Sequence, residues 1–194
     1  DSAGTMTAMA TGVKNRIGVL GLGPEVRRGD CAAAQGHALV SMFDLAESAG
    51  LATGIVTTTR LTHATPAALY ARSPERNWES DVDLPAEALA QGCRDIASQF
   101  VEFGVGDGIE VALGGGRREF LPASAVDPEY PEFPGRRLDG RDLMAEWTAR
   151  HPDGRVVWNA AQLKALDLST TPRLLGLFEP DHMKFEHDRP RDRA

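Results

Sequence analysis

Apolar residues along this chain follow two rhythms, a helical one and a short β-branched one, and the two alternate. Between Gly36 and Gly50 the pairs Leu39-Val40, Met42-Phe43 and Leu45-Ala46 form a wide stripe at helical spacing that stops at Gly50. Gly54 to Thr59 reads Gly-Ile-Val-Thr-Thr-Thr, a strand. From Leu84-Pro85 to Phe103 one face carries Ala86, Leu89, Cys93, Ile96, Ala97 and Phe100, which predicts a single long helix with Pro85 in its first turn and Cys93 buried.

Ile109 to Leu113 is the next strand, ended by Gly114-Gly115-Gly116, whose freedom at positive φ suits a sharp turn. Leu121 to Arg137 is rich in Pro, Asp, Glu and Gly and reads as a long irregular excursion. Asp139 to Asp142 resembles a cap before a helix with Leu143, Met144 and Trp147, followed by strands at Arg155 to Trp158 and Leu174 to Phe178. The charged stretch from Asp181 to Ala194 belongs on the surface. Helix and strand taking turns is the order of an α/β sheet protein.

Composition narrows the class without naming a function. The 194 residues are 42% hydrophobic and 25% charged, enough for one domain with a core. No apolar run approaches the roughly 18 residues that span a bilayer. A net charge of -7 argues against a nucleic-acid-binding surface, although a small anion can still be held by local arginines or metals. The first residue is Asp, so the chain looks excised or processed and a missing leader says nothing. Cys31 and Cys93 are too few and too far apart for a zinc knuckle, leaving two buried thiols or one long-range disulfide.

The candidate chemistry begins at Ser2, at the head of Asp1-Ser2-Ala3-Gly4-Thr5-Met6-Thr7-Ala8. A helix starting there points a hydroxyl and several free backbone N–H groups at one spot, a place to hold an anion beside a nucleophile. A serine needs an activating base or metal, and the chain supplies only part of one. His63 and Thr65 follow the first strand, where α/β sheets commonly place ligands. Thr65 before Pro66 is also an ordinary helix cap, and His63 an ordinary structural histidine. Arg76 offers a planar fork for phosphate or carboxylate oxygens, as other arginines do. The glycine run lacks the Lys-Ser/Thr ending of a phosphate loop and reads as structural. A hydrolase or transferase and a non-catalytic phosphate-binding or structural α/β domain both remain open.

Several motifs, in order over nearly the whole chain, resemble alkaline phosphatase, closest to its animal-type branch. They are Asp1 to Lys14, Thr57 to Ala67, Arg76-Asn77-Trp78, Leu113 to Arg118, Asp127 to Pro131, Arg137 to Gly140 and Gly176 to Asp181. The resemblance implies a central, mostly parallel sheet flanked by helices, incomplete in residues 1–194, with 117–137 and 179–194 as surface excursions around a calcium-type site. It implies hydrolysis of phosphate monoesters to inorganic phosphate through a phosphoserine, with two zinc ions and one magnesium ion.

By the same resemblance Ser2 is the nucleophile and a zinc ligand, and Arg76 clamps the phosphate oxygens. Thr65 is a magnesium ligand, with His63 shaping that site from behind. Glu129, the carbonyl of Phe178, Glu179 and, loosely, Asp192 form a calcium site, whose oxygen-only donors suit that ion. The cysteines match a paired position, hence a Cys31–Cys93 disulfide and a secreted or periplasmic protein. A homodimer is implied too. The family's remaining zinc and magnesium motifs are not found around His37, His63, His151, His182 or His187. The chain is therefore expected to be an internal portion of a larger enzyme, inactive alone.

Overall fold

Four short strands pair into one parallel sheet in the computed structural model, which describes residues 1–188. They are β1 (Gly54–Arg60), β2 (Val111–Gly115), β3 (Arg155–Val157) and β4 (Leu174–Leu177), in the order β1-β2-β4-β3. Ile55, Ala112, Leu175 and Val156 lie in register across it. The first three of these are buried, and β4 is buried along its whole length. A continuous apolar run is what an inner parallel strand requires, since both its faces are covered. The α/β reading of the sequence therefore holds.

The sheet belongs to one of two compact units, made, among the described residues, of 54–61 and 109–188. Here the glycines do more than end a strand: Gly114 and Gly115 lie within β2. A Cβ at Gly114 would press on the side chains of Thr57 and Leu61, and one at Gly115 on the backbone carbonyl of Asp181. Only Gly116, at φ 90°, makes the turn. Helix α7 (Leu143–Arg150) starts where Asp142 accepts from the Ala145 amide at 2.9 Å, and it buries Leu143 and Trp147. Helix α8 (Ala160–Ala165), capped by Asn159, escaped the pattern analysis because it buries no residue and so has no apolar stripe.

The other unit holds residues 1–53 and 62–108. Its helices are α1 (Ser2–Thr11), α2 (Cys31–Ala34), α3 (Met42–Ser48), α4 (Ala64–Ala67), α5 (Ala86–Ala90) and α6 (Ile96–Val101). Two expectations fail here. The stripe from Gly36 to Gly50 yields only α3, because Ser41 and Asp44 form a reciprocal cap that starts the helix there. Val40, Met42 and Leu45 stay exposed while Phe43 and Glu47 face inward.

The long helix over 84–103 is two helices. Gly92, at φ 83°, breaks it, and Asp95 starts α6 by accepting from the Ser98 amide at 2.8 Å. Pro85 is the cap residue of α5, outside its first turn, and Leu89 is exposed. Cys93 sits half-buried in the intervening turn. It is bonded to Cys31 across a Cα separation of 5.9 Å, and the pair packs on Trp78, Leu84 and Ala88.

Candidate active site

Asp1 organises the residues that the sequence marked. It caps α1: its Oδ2 accepts from the amides of Gly4 at 3.0 Å and Gly18 at 2.8 Å. Its Oδ1 accepts from Nη1 of Arg76 at 2.9 Å. One carboxylate therefore fixes both the helix that begins with Ser2 and the arginine 75 positions later. The Arg76 amide donates to the Gly18 carbonyl at 2.8 Å, which closes the ring of contacts. Sequence reasoning gave Asp1 no role, since an N-cap aspartate is common and its second oxygen is free to pair only in three dimensions.

Ser2 is half-buried as the first residue of α1. Fewer N–H groups are free beside it than expected, because Asp1 takes the Gly4 amide and the Asp1 carbonyl takes that of Thr5 at 3.1 Å. Ser2 still stands in the first turn, at the positive end of the helix. Arg76 Nη2 lies 2.9 Å from Nε2 of His63. Guanidinium nitrogens only donate, so Nε2 accepts and the imidazole proton rides on Nδ1. Arg76, with its side chain 19% exposed, is held at Nη1 by Asp1 and at Nη2 by His63.

Thr65 is not the cap of α4. His63 holds the cap position in extended backbone and makes no side-chain cap bond, so Thr65 is the second helical residue and Pro66 the third. The Thr65 side chain is thereby left exposed, with its hydroxyl available to a ligand. Thr62 and Glu79 lie behind this group, both buried, with Thr62 Oγ1 donating to Glu79 Oε2 at 2.5 Å. Buried Tyr70 has its phenol pushed well above the usual range, by burial first and then by the charges of Glu79 and Asp95.

The candidate calcium ligands lie in the sheet unit, around an arginine that sequence analysis did not single out. Arg117 is fully buried and grips Asp127 with both prongs, at 2.7 and 2.8 Å. Its Nη1 also donates to the Leu177 carbonyl at 2.6 Å and to Glu129 at 3.1 Å. Asp127 in turn accepts the amides of Glu129 and Tyr130, each at 2.9 Å. Burial pushes the Asp127 carboxyl up, but these donors outweigh it and hold the group below the usual carboxylate range.

The stretch 117–137 is irregular, as expected, yet Arg117, Glu119, Phe120, Asp127, Tyr130 and Arg137 are all buried, so it is more than a surface excursion. Glu179 is buried and accepts from the Tyr130 hydroxyl at 3.0 Å. Glu129 thus faces a cation of the chain's own. Phe178 lies just past the end of β4, its amide bonded to the Gly114 carbonyl at 2.9 Å. Asp192 lies outside the described residues.

Comparison with known proteins identifies the family of the chain. Curated relatives include the tissue-nonspecific alkaline phosphatases of Gallus gallus, 47% identical, and Homo sapiens, 44% identical, each matched over 97% of this chain. The chain spans only 37% of the length of those relatives. Among solved structures, the Thermus thermophilus alkaline phosphatase is 34% identical at a TM-score of 0.68, covering 97% of this chain and 30% of that one. The enzyme from the Antarctic bacterium TAB5, at 20% identity and a TM-score of 0.64, shares the fold; the match covers 96% of this chain and 42% of that one. The family model described as alkaline phosphatase matches residues 1–194, and the chain belongs to that family.

Proposed function

We propose that the full-length protein hydrolyses phosphate monoesters, with Ser2 as nucleophile and Arg76 as the clamp on the phosphoryl oxygens. The observation that carries this reading is the shared Asp1 carboxylate, which caps the Ser2 helix and holds Arg76 at 2.9 Å. Attack by Ser2 Oγ forms an O–P bond as the ester O–P bond breaks, the alcohol leaves, and water then cleaves the phosphoserine to release inorganic phosphate. Negative charge spread over the nonbridging oxygens is met by the free donors of Arg76 and by the first turn of α1. His63 and Asp1 keep the guanidinium plane fixed, so it does not have to reorganise as the reaction proceeds.

Family membership implies metals, and the donors here fit them in part. Ser2 offers an oxygen to zinc, the exposed Thr65 a hydroxyl to magnesium, and Glu129, Glu179 and the Phe178 carbonyl an oxygen set suited to calcium. Two zinc ions, when bound, supply the acidification of the serine hydroxyl and the stabilisation of the leaving oxygen that these residues lack. Magnesium favours oxygen donors, which leaves His63 to act through Arg76 and ordered solvent. The disulfide supports a secreted or periplasmic location, and the described residues contain no helix long and apolar enough to cross a membrane. The full-length protein is proposed to be a homodimer.

Rapid-quench mass spectrometry of the full-length protein with an aryl phosphate tests the reading. A phosphorylated Ser2 peptide, absent in Ser2→Ala, is expected. Turnover that survives Ser2→Ala overturns the nucleophile, and phosphate binding without any adduct favours the non-catalytic α/β domain.

A further inference from the structure

We infer that Glu79 is a positioning residue for the phosphate clamp, acting through Thr62 and His63. The inference rests on the proposed role of Arg76 and adds a residue that no sequence motif marked. Glu79 stands three places after Arg76, and Thr62 immediately before His63. The two segments are joined twice, once by Arg76 Nη2 to His63 Nε2 at 2.9 Å and once by Thr62 Oγ1 to Glu79 Oε2 at 2.5 Å. The first link is partly open to solvent, whereas Thr62 is 0% and Glu79 7% exposed.

A charge-assisted bond away from water is stronger and more directional than an exposed one. The inner link therefore sets the spacing of the two segments, and the outer link inherits it. The backbone around Glu79 is itself anchored: the Ile96 amide donates to the Trp78 carbonyl at 2.9 Å and the Ala97 amide to the Glu79 carbonyl at 3.1 Å. Trp78 lies against the Cys31–Cys93 bridge. Glu79 is thus fixed from α6, and through Thr62 it fixes the residue that His63 follows. A buried carboxylate is a costly way to fill space, and its bond to the Thr62 hydroxyl holds it in one orientation.

The test uses the full-length protein loaded with zinc and magnesium, with inorganic phosphate as the probe. Thr62→Val keeps the shape of the side chain and removes the donor. It should raise the phosphate inhibition constant and the KM for an aryl phosphate roughly tenfold, with a smaller fall in kcat. Thr62→Ser restores the hydroxyl and should return both close to the parent values. Thr62→Val combined with Glu79→Ala should be no worse than the poorer single variant, since both break one link.

A cooperatively melting Thr62→Val protein with unchanged phosphate inhibition overturns the inference, as does a double variant whose losses add in full. If Thr62→Val does not fold, Glu79→Gln reads the same link: a raised inhibition constant supports it and an unchanged one overturns it. Placement is also read without turnover. In a crystal structure of Thr62→Val or Glu79→Gln, loss of the His63–Arg76 contact is expected and its retention refutes the role. That measurement stands even if the parent protein releases no phosphate, an outcome that would sink the functional reading alone.

Discussion

Removing the Asp127 carboxylate should destabilise the protein more than any exposed ion pair could. Asp127 and Arg117 are each 0% exposed at the side chain, and the guanidinium fork meets the carboxylate at 2.7 and 2.8 Å. Asp127→Ala leaves a buried cation short of its main partner and frees two amides, those of Glu129 and Tyr130. Breaking a buried pair from one side costs about 3–5 kcal/mol. At roughly 2–4 °C per kcal/mol for a chain of this size, the melting temperature should fall by about 6–20 °C.

Thermal melts followed by circular dichroism, with limited proteolysis of the 117–137 stretch, measure this. Asp127→Asn keeps an acceptor for the amides and should lose less. Arg117→Met combined with Asp127→Leu should also lose less than Asp127→Ala, because no charge is orphaned. The pH dependence has a definite direction. Because the folded carboxyl lies below its ordinary value of about 3.9, its stabilisation is complete above that pH and vanishes as pH falls through the lowered folded value. The gap between parent and Asp127→Asn should therefore close below about pH 4. A melting temperature within about 2 °C of the parent for Asp127→Ala at pH 7 refutes the reasoning.

Arg76→Ala in the full-length protein should weaken phosphate inhibition and lower kcat/KM, at a cost of about 1.5–3 kcal/mol, with Arg76→Lys restoring only part because it loses the fork; equal inhibition by phosphate in all three proteins rejects the clamp. Non-reducing peptide mapping should recover Cys31 linked to Cys93, and a bridge spanning 62 residues should contribute about 4 kcal/mol in the chain-entropy model, read as the drop in denaturation midpoint on changing both cysteines to serine. Two alkylatable thiols in the native protein would contradict it. Gly115→Ala drives a Cβ into the Asp181 backbone and should lower the melting temperature by several degrees, whereas Gly54→Ala in β1, with only ordinary van der Waals neighbours, should be nearly neutral.

The α/β class, three of the four strands nearly to the residue, the cap at Asp142 and the irregular stretch after Leu121 were all legible in the sequence, because each rests on local chemistry: β-branched runs, side chains that accept nearby amides, and proline. Residue type and position raised Ser2, Arg76, His63 and Thr65 only as candidates with ordinary structural alternatives, and the family resemblance, not local chemistry, gave them roles. Helix extent was not legible where a local cap or a glycine at positive φ overrode the apolar period, as at Ser41 and Gly92. Only the tertiary structure decided the partners, because a carboxylate has two oxygens and its sequence neighbours show the use of one at most. Asp1 and Glu79 had no role in the sequence reading; the fold brings the second oxygen of Asp1 to Arg76, 75 positions away, and the Thr62 hydroxyl to Glu79. Arg117 was one of many arginines in the sequence. Burial, which excludes water as a partner, makes it the anchor of the segment that carries Glu129.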